Sequence, residues 1–189
     1  EVSPWPLHQH TPTLPPSEDG ISFAWPRWKD GRWELTAREL KDGKLGPAEV
    51  LDRAEVIYRP RAASYGGEVW TAWCRGEGGR FEVRVSGPRG SFTVSEGLRA
   101  FRPSVSCREG EVWVAFDAYV DGKYEVFARR WTGAWGPLER ASSGPGWHMF
   151  PWIALDHEGK PWVAYVRRVD AGKEGVLDQL HTVVVARRG

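Results

Sequence analysis

The chain lacks the motifs that mark many enzymes. No Gly-x-Ser-x-Gly segment, phosphate-binding loop or dinucleotide fingerprint occurs in its 189 residues. No Cys-x-x-Cys pair accompanies the five His residues, and their spacing follows no metal-site pattern, so we predict neither a metal nor another cofactor. These absences favour a non-enzymatic role.

Long apolar runs and an excess of one charge are also absent. No apolar run approaches the roughly 20 residues that cross a bilayer, so we predict no membrane span. The 26 basic and 25 acidic side chains are interspersed and leave a net charge of +1. Because nucleic-acid binding relies on a concentrated basic surface, we predict no nucleic-acid partner.

The residues that are abundant favour β-structure. Twelve Trp, 22 Gly and 14 Pro point away from helices, because Gly and Pro mark turns while aromatic residues favour strands. The composition does not shift along the chain, so we expect one domain over 1–189.

A strand of five residues occurs four times and sets the architecture. Its best-defined copy is Val112 to Phe116, and every copy has Ala fourth and an aromatic residue fifth. The fifth residues are separated by 48, 43 and 49 positions, a period typical of a four-stranded propeller blade. The sequence therefore predicts an all-β fold, a β-propeller with about four blades. The four copies end at Trp25, Trp73, Phe116 and Tyr165.

Each repeat is predicted to form an antiparallel meander. In the first repeat the predicted strands are 12–16, 21–25, 32–38 and 45–51. In the second they are 61–65, 69–73, 80–86 and 91–95. In the third they are 103–107, 112–116, 124–129 and 135–140. In the last they are 151–155, 161–165 and 183–188, with a long loop over 166–178.

The two ends of the chain complement each other. The last repeat has no fourth strand, whereas Trp5-Pro6-Leu7 resembles the fourth-strand segment Trp135 to Leu138. Pairing these ends would complete four blades and remove exposed sheet edges. An eight-bladed ring of two chains, which is a homo-oligomer, and a piece of a larger propeller are the alternatives.

The two cysteines are expected to be free thiols. Cys74 and Cys107 are predicted at opposite ends of antiparallel strands, beyond the reach of a disulfide. The chain begins at Glu1 rather than Met, which suggests processing or excision from a longer chain. An extracellular or periplasmic location is favoured, although the cysteine number does not decide the compartment.

The order of segments resembles a known class of propeller. Each repeat runs from a Pro through an alternating strand, an acidic-Gly turn such as Glu109-Gly110, a Trp-Val-Ala-aromatic strand and a Tyr-Glu-Val strand. This pattern resembles the repeats of TolB-like and sialidase-like proteins, over almost the whole chain. The Ser-x-Asp-x-Gly-x-Thr-Trp box of sialidase-like repeats is absent. The resemblance implies the fold, and propellers host hydrolases, lectins and interaction scaffolds alike.

Arginines at the mouth of the predicted channel are the first candidates for a site. The innermost strand of each blade lines this channel, so the residue before each opening Pro lies near its mouth. Arg59 and Arg102 hold this position, with Arg61 close by, and a cluster of them would bind a carboxylate, sulfate or phosphate. In sialidase-like enzymes an arginine cluster binds the substrate carboxylate. The alternative is that each Arg stacks on a Trp or pairs with a local carboxylate. The other repeats have Thr11 and Phe150 there.

Carboxylates form a repeating and a non-repeating set. Glu34, Glu82 and Glu125 recur at one place in successive repeats, which indicates cross-strand pairing with Arg. Asp117 and Asp170 do not repeat and lie in predicted loops. They are the candidate catalytic residues of a glycosidase, which needs two carboxylates about 5 to 10 Å apart. Solvated loop charge is the alternative interpretation of both.

Aromatic residues outside the repeated positions complete the candidates. Trp28, Trp147 and Trp152, if exposed, would stack on a sugar or anchor a protein partner, and packing between blades is the alternative. His148 enters the last repeat at the same face.

Three functions are consistent with the sequence. The first is a binding module that recognises a glycan or a protein through the loop face of the propeller. A glycosidase-type hydrolase that uses Asp117 or Asp170 with the arginine cluster is the second, and a structural or assembly subunit is the third. The missing enzyme motifs and the surplus of non-repeating Trp favour the first. Its predicted ligand-binding residues are Arg59, Arg61, Arg102, Trp28, Trp147 and His148.

Overall fold

A computed structural model describes residues 13–17, 20–170 and 179–187, with the backbone alone at 16, 17, 170 and 179–187. Every regular element among these residues is a β-strand, as the composition predicted. The strands form four antiparallel sheets that follow one another along the chain. In the described part of the chain, no helix is long and apolar enough to cross a membrane.

The four sheets are the four predicted repeats. The first contains β1 (Pro16–Ser17), β2 (Gly20–Lys29), β3 (Arg32–Lys41), β4 (Lys44–Leu45) and β5 (Glu49–Ala54). The second contains β6 (Val56–Tyr65), β7 (Glu68–Glu77), β8 (Arg80–Gly87) and β9 (Gly90–Thr93). The third contains β10 (Arg99–Arg108), β11 (Glu111–Val120), β12 (Lys123–Trp131) and β13 (Glu139–Arg140). The fourth contains β14 (Trp147–Leu155), β15 (Pro161–Asp170) and β16 (Gln179–Arg187).

Most strands are longer than predicted because they meet in tight turns. Asp121 and Gly122 link β11 to β12 with φ of 50° and 82°, and Asp30 and Gly31 link β2 to β3 with φ of 50° and 77°. Two consecutive residues with positive φ are typical of the type I′ hairpin, which suits the twist of paired strands. The predicted loop after Phe116 is therefore wrong, since β11 continues to Val120.

The predicted fourth strand of the first repeat is divided. Pro47 has no N–H to donate to a ladder, and it separates β4 from β5. In the last repeat, β15 continues to Asp170 and β16 begins at Gln179, so the predicted loop over 166–178 is too long.

The repeated strand forms the centre of each sheet. In β11 the five residues from Val112 to Phe116 are all buried, although an isolated sheet would bury alternate residues only. Both faces are covered because neighbouring sheets pack against them. The fourth-position Ala residues of the first three copies, Ala24, Ala72 and Ala115, are buried as well.

Adjacent inner strands are joined by side-chain hydrogen bonds. The hydroxyl of Thr13 accepts the backbone N–H of Ala62 at 2.8 Å. In the same way, the hydroxyl of Ser104 accepts the N–H of Ile153 at 3.0 Å. Thr13 and Ser104 each follow the opening Pro of their repeat, so one hydroxyl position fastens an inner strand to the next.

The cysteine prediction is confirmed, because Cys74 and Cys107 are both free. The predicted pairing of Trp5-Pro6-Leu7 with the last repeat lies outside the described residues. Within the described residues, β16 pairs with β15 alone. A closed four-bladed ring and a homo-oligomer therefore stay predictions.

The hydrogen bond from the Ile153 N–H to the Ser104 hydroxyl predicts a specific loss of stability. Ser104→Ala leaves the buried N–H of Ile153 without its acceptor, so the free energy of unfolding should fall by about 1–3 kcal/mol. Urea unfolding followed by Trp fluorescence measures this change. The matched control is Ser106→Ala in the same strand, because the Ser106 hydroxyl makes no hydrogen bond to the described residues. Equal effects of the two substitutions would contradict the role of the link.

Candidate functional site

Three inner strands change register at the same place. Pairing with the neighbouring strand is interrupted between Tyr58 and Arg61 in β6, and equivalent interruptions occur in β10 and β14. The bulged residues before Pro are Arg59, Arg102 and Phe150, with φ of 52°, 44° and 56°. A left-handed conformation is uncommon in residues with a side chain, and a bulge re-aims the side chain that it carries.

The three bulged residues meet although they belong to three different sheets. The Phe150 ring lies 4.5 Å from Arg102 Cζ and 5.4 Å from Arg59 Cζ, within the range of cation–π attraction. Next to them, Arg61 Cζ lies 5.9 Å from the Trp152 ring. These contacts fulfil the alternative prediction in part, because Arg61 stacks on a Trp and Arg102 pairs with the carboxylate of Asp117, whereas Arg59 stacks on a Phe. With Asp117, these residues form the inner-strand cluster: Arg59, Arg61, Arg102, Asp117, Phe150 and Trp152.

Asp117 is the only carboxylate of the inner-strand cluster. It lies in β11 and is fully buried, so its interpretation as a solvated loop charge is wrong. Its Oδ2 accepts hydrogen bonds from Arg102 Nε at 2.6 Å and from the backbone N–H of Phe150 at 2.8 Å. Asp117 therefore fixes one arginine and the bulge of the next sheet at once.

The electrostatic state of Asp117 is set mainly by burial. Burial raises the pKa of Asp117 to about 6, while the Arg102 guanidinium and the Phe150 N–H act in the opposite direction. Asp117 Oδ1 and Arg102 Nη2 are both buried and have no hydrogen-bond partner among the described residues. Buried polar atoms are nearly always paired, so these two atoms are exceptions to that rule.

The residues equivalent to Asp117 do not carry charge. They are Pro26, Cys74 and Val166, the residues that follow the repeated strand in the other repeats. Cys74 is fully buried, and burial raises the pKa of its thiol to about 12. A thiol that stays protonated at neutral pH is a poor nucleophile.

His148 is placed differently from the prediction of a ligand contact. It is fully buried, its Nδ1 lies 2.7 Å from Glu125 Oε2, and its ring stands edge-on to Tyr165. Ser142 donates to the same carboxylate at 2.6 Å. These contacts join the third and fourth sheets, and a surface ligand does not reach His148.

The repeating glutamates have the structural role that was predicted. Burial would raise the pKa of Glu125, but hydrogen bonds from Lys123, Ser142 and His148 and the nearby Arg140 charge lower it to about 2. In the first sheet, Glu34 is buried between Arg27 and Arg53, which are its cross-strand neighbours. In the second, Glu82 pairs with Arg75 in register, at 3.8 Å. Cross-strand pairing with Arg is thus confirmed for Glu34 and Glu82.

The remaining candidates are not members of the inner-strand cluster. Trp28 is 39% exposed and packs edge-on against Trp33 in the first sheet, at 5.5 Å. Trp147 is 37% exposed and lies 5.8 Å from Tyr124. Asp170 is the last residue of β15, and its side chain lies outside the described residues, as does the whole of Thr11.

The sequence does contain a signal for Phe150, because it precedes the opening Pro of its repeat as Arg59 and Arg102 do in theirs. An apolar residue at that position does not by itself indicate an anion site. Among the described residues, no group of three or more His, Cys, Asp or Glu side chains could hold a metal ion.

The described sheets and their packing define a β-propeller, similar to TolB-like propellers and to propeller glycosidases, as the repeats predicted. Similar structures include the GH93 α-L-arabinofuranosidase of Fusarium graminearum with arabinobiose (TM-score 0.62, 10% identity, 96% of this chain and 64% of that chain). The putative TolB from Agrobacterium tumefaciens is also similar (TM-score 0.60, 17% identity, 88% and 60%). A third is a thermostable family-43 glycoside hydrolase (TM-score 0.51, 14% identity, 93% and 70%).

These likenesses are structural only. No family model matches the sequence, and no curated protein does. The chain spans 64% of the arabinofuranosidase and 60% of the TolB protein, so it corresponds to less than two thirds of either.

The burial of Asp117 predicts a pH dependence of stability. Between its ordinary pKa of 3.8 and the folded value of about 6, the folded protein holds a proton that the unfolded chain has lost. The stability contributed by this group is therefore fully present at acid pH and is lost as the pH rises through this window. The change amounts to at most about 3 kcal/mol.

Comparison with Asp117→Asn isolates this effect, because the other titrating groups cancel in the difference. The free energy of unfolding of the native protein minus that of the variant should fall between pH 4 and pH 7. Urea titrations at intervals of pH measure it. A difference that rises with pH would show that Arg102, and not burial, dominates the pKa of Asp117.

Proposed function

We propose that this protein is a carbohydrate-binding module whose inner-strand cluster recognises an acidic sugar. The observation that carries the proposal is the concentration of three arginines around two exposed rings, with a single carboxylate among them. Arginine binds carboxylate and sulfate groups through two parallel N–H bonds, and aromatic rings stack on sugars.

Arg59 supplies the cation that is free to bind an anion. Its side chain is exposed, and it makes no hydrogen bond or ion pair with the described residues. Stacking on Phe150 holds the guanidinium without using its N–H groups. An incoming carboxylate would therefore meet an oriented donor.

Arg61 adds a reason for an anion to bind. Burial, together with the nearby charge of Arg59, lowers the pKa of Arg61. Two guanidinium groups that repel each other are stabilised when an anion binds between them. Arg102 contributes less charge, because Asp117 neutralises it.

The exposed rings support a sugar rather than a small inorganic anion. Phe150 is 44% exposed and Trp152 is 60% exposed, although large apolar side chains are commonly buried. Rings of this kind provide a large contact area at small entropic cost. The similar arabinofuranosidase structure contains arabinobiose, which agrees with a glycan ligand on this fold.

A glycosidase is the second candidate function. The observation in its favour is Asp117, whose pKa of about 6 suits a group that gives and takes protons near neutral pH. Glycoside hydrolysis needs a second carboxylate about 5 to 10 Å away. Asp170 is the sequence candidate for that role.

The binding proposal predicts that Arg59 controls affinity for acidic sugars. In isothermal titration calorimetry, we expect the protein to bind digalacturonate, and Arg59→Gln should weaken this binding about tenfold through loss of a charge-assisted contact. The control is Arg89→Gln, which removes the same charge from the exposed turn before β9, at the opposite end of the sheet.

Two results would count against this proposal. One is equal affinity for digalacturonate and for neutral arabinobiose, which would remove the role of charge. The other is an equal loss of affinity in Arg59→Gln and Arg89→Gln, which would indicate a diffuse electrostatic effect.

The same proposal predicts no hydrolysis. On a panel of 4-nitrophenyl glycosides, including glucuronide and arabinofuranoside, the protein should release no more 4-nitrophenol than Asp117→Asn does. Release by the native protein that is lost in Asp117→Asn would replace the binding module with the glycosidase.

A further inference from the structure

A row of aromatic rings crosses three sheets beside the inner-strand cluster. The ring centroids of Phe81 and Phe101 lie 5.3 Å apart, those of Phe101 and Tyr124 lie 5.9 Å apart, and Tyr124 is 5.8 Å from Trp147. The row lies at the end of the sheets that carries the turns between the second and third strands, since Phe81 and Tyr124 each follow such a turn closely. We name these four residues the aromatic row.

Every ring of the aromatic row has an arginine over it. Arg99 Cζ lies 5.9 Å from the Phe81 ring and 5.8 Å from the Phe101 ring. Arg102 Cζ lies 4.8 Å from the Tyr124 ring, and Arg168 Cζ lies 5.3 Å from the Trp147 ring. The rings therefore hold a line of guanidinium groups in place.

Two of these arginines are free of acidic partners. In the described part of the chain, Arg99 and Arg168 make no side-chain hydrogen bond or ion pair, so their N–H groups remain to be satisfied. The groove at the Phe81 end is also lined by Arg80 and by Glu82. Glu82 is turned partly toward Arg75, so positive charge exceeds negative charge along the row.

The aromatic row is continuous with the inner-strand cluster. Arg102 belongs to both, because its guanidinium lies over the Tyr124 ring and over the Phe150 ring. A ligand with an acidic group on Arg59 would thus have a path over Arg102 toward either end of the row. This path is several rings long, which exceeds the length of a single sugar.

From this continuity we propose that the aromatic row binds a linear polyanionic glycan, one of whose acidic sugars occupies the inner-strand cluster. On the two sides of that sugar, carboxylates or sulfates of the glycan pair with Arg99 and with Arg168, and its sugar rings lie along the ring edges. This inference rests on the proposed function and extends it from one sugar to a chain.

A glycan fits this surface better than single-stranded nucleic acid does. Nucleobases bind by stacking on the faces of aromatic rings. Here guanidinium groups lie over those faces, and the rings pack tilted or edge-on against one another, without a slot between them. The near-zero net charge also lacks the basic excess that phosphate chains require.

The length of the glycan is the variable that tests the proposal. Affinities of the full chain for galacturonate oligomers of two to six units are measured by calorimetry, with heparin oligosaccharides as the sulfated series. Affinity should rise with length in at least one series. Its salt dependence should become steeper as more ion pairs form.

Variants locate the effect on the aromatic row. Arg99→Gln and Arg168→Gln should each weaken binding of the six-unit oligomer about tenfold, yet leave binding of the two-unit oligomer unchanged, because the shorter ligand does not reach them. Arg59→Gln should weaken both, and Arg89→Gln should weaken neither.

The failures of the two proposals can be told apart. Binding of short and long oligomers with equal affinity would overturn the role of the aromatic row and leave the inner-strand cluster as a site for one sugar. Absence of binding in both series would overturn both. Tighter binding of a single-stranded RNA of matched charge, sensitive to Arg99→Gln, would assign the row to nucleic acid instead.

Discussion

Burial of one strand on both of its faces is the constraint on which the rest of this structure depends. Sheets that stack face to face leave no wet side for their central strands, so a run such as Val112 to Phe116 must be apolar throughout. Small Ala residues let the sheets approach, and two large rings per copy fill the space. Polar side chains therefore lie mainly at the strand ends and in the inner strands, where hydroxyls such as that of Ser104 join neighbouring sheets.

The inner strands bring together the residues of the candidate site. In β6, β10 and β14 a Pro cannot donate to the ladder, and the residue before it adopts a left-handed conformation at a bulge. Because the bulge recurs, three sheets direct Arg59, Arg102 and Phe150 at one another. Strained backbone of this kind persists only where surrounding contacts determine it, and the hydrogen bond from the Phe150 N–H to Asp117 is such a contact.

The sequence predicted the fold well because its signal is repeated. Four copies of one strand, with turns at fixed offsets, specify sheets, strand order and the inner position of Arg59 and Arg102. The site was predicted less well, because its contacts join residues that are distant in sequence and do not repeat. The sequence predicts a loop from Asp117, because nothing in its composition shows that β11 continues to the two-residue turn at Asp121. His148 looked accessible, but its burial depends on Glu125 from another sheet.

The balance of charge in the inner-strand cluster follows from how each arginine is held. Arg102 is bound to a buried carboxylate, and breaking such a pair would leave an uncompensated charge, so it serves as a fixed anchor. Arg59 and Arg61 are held by rings instead, which orient a guanidinium without neutralising it. Their charge therefore remains available to a ligand. The same arrangement of a guanidinium on an aromatic ring recurs along the aromatic row. Arg99 and Arg168 lie on rings there and lack acidic partners among the described residues. The proposal of an anionic ligand therefore rests on several arginines held by rings in the same way, rather than on any single residue.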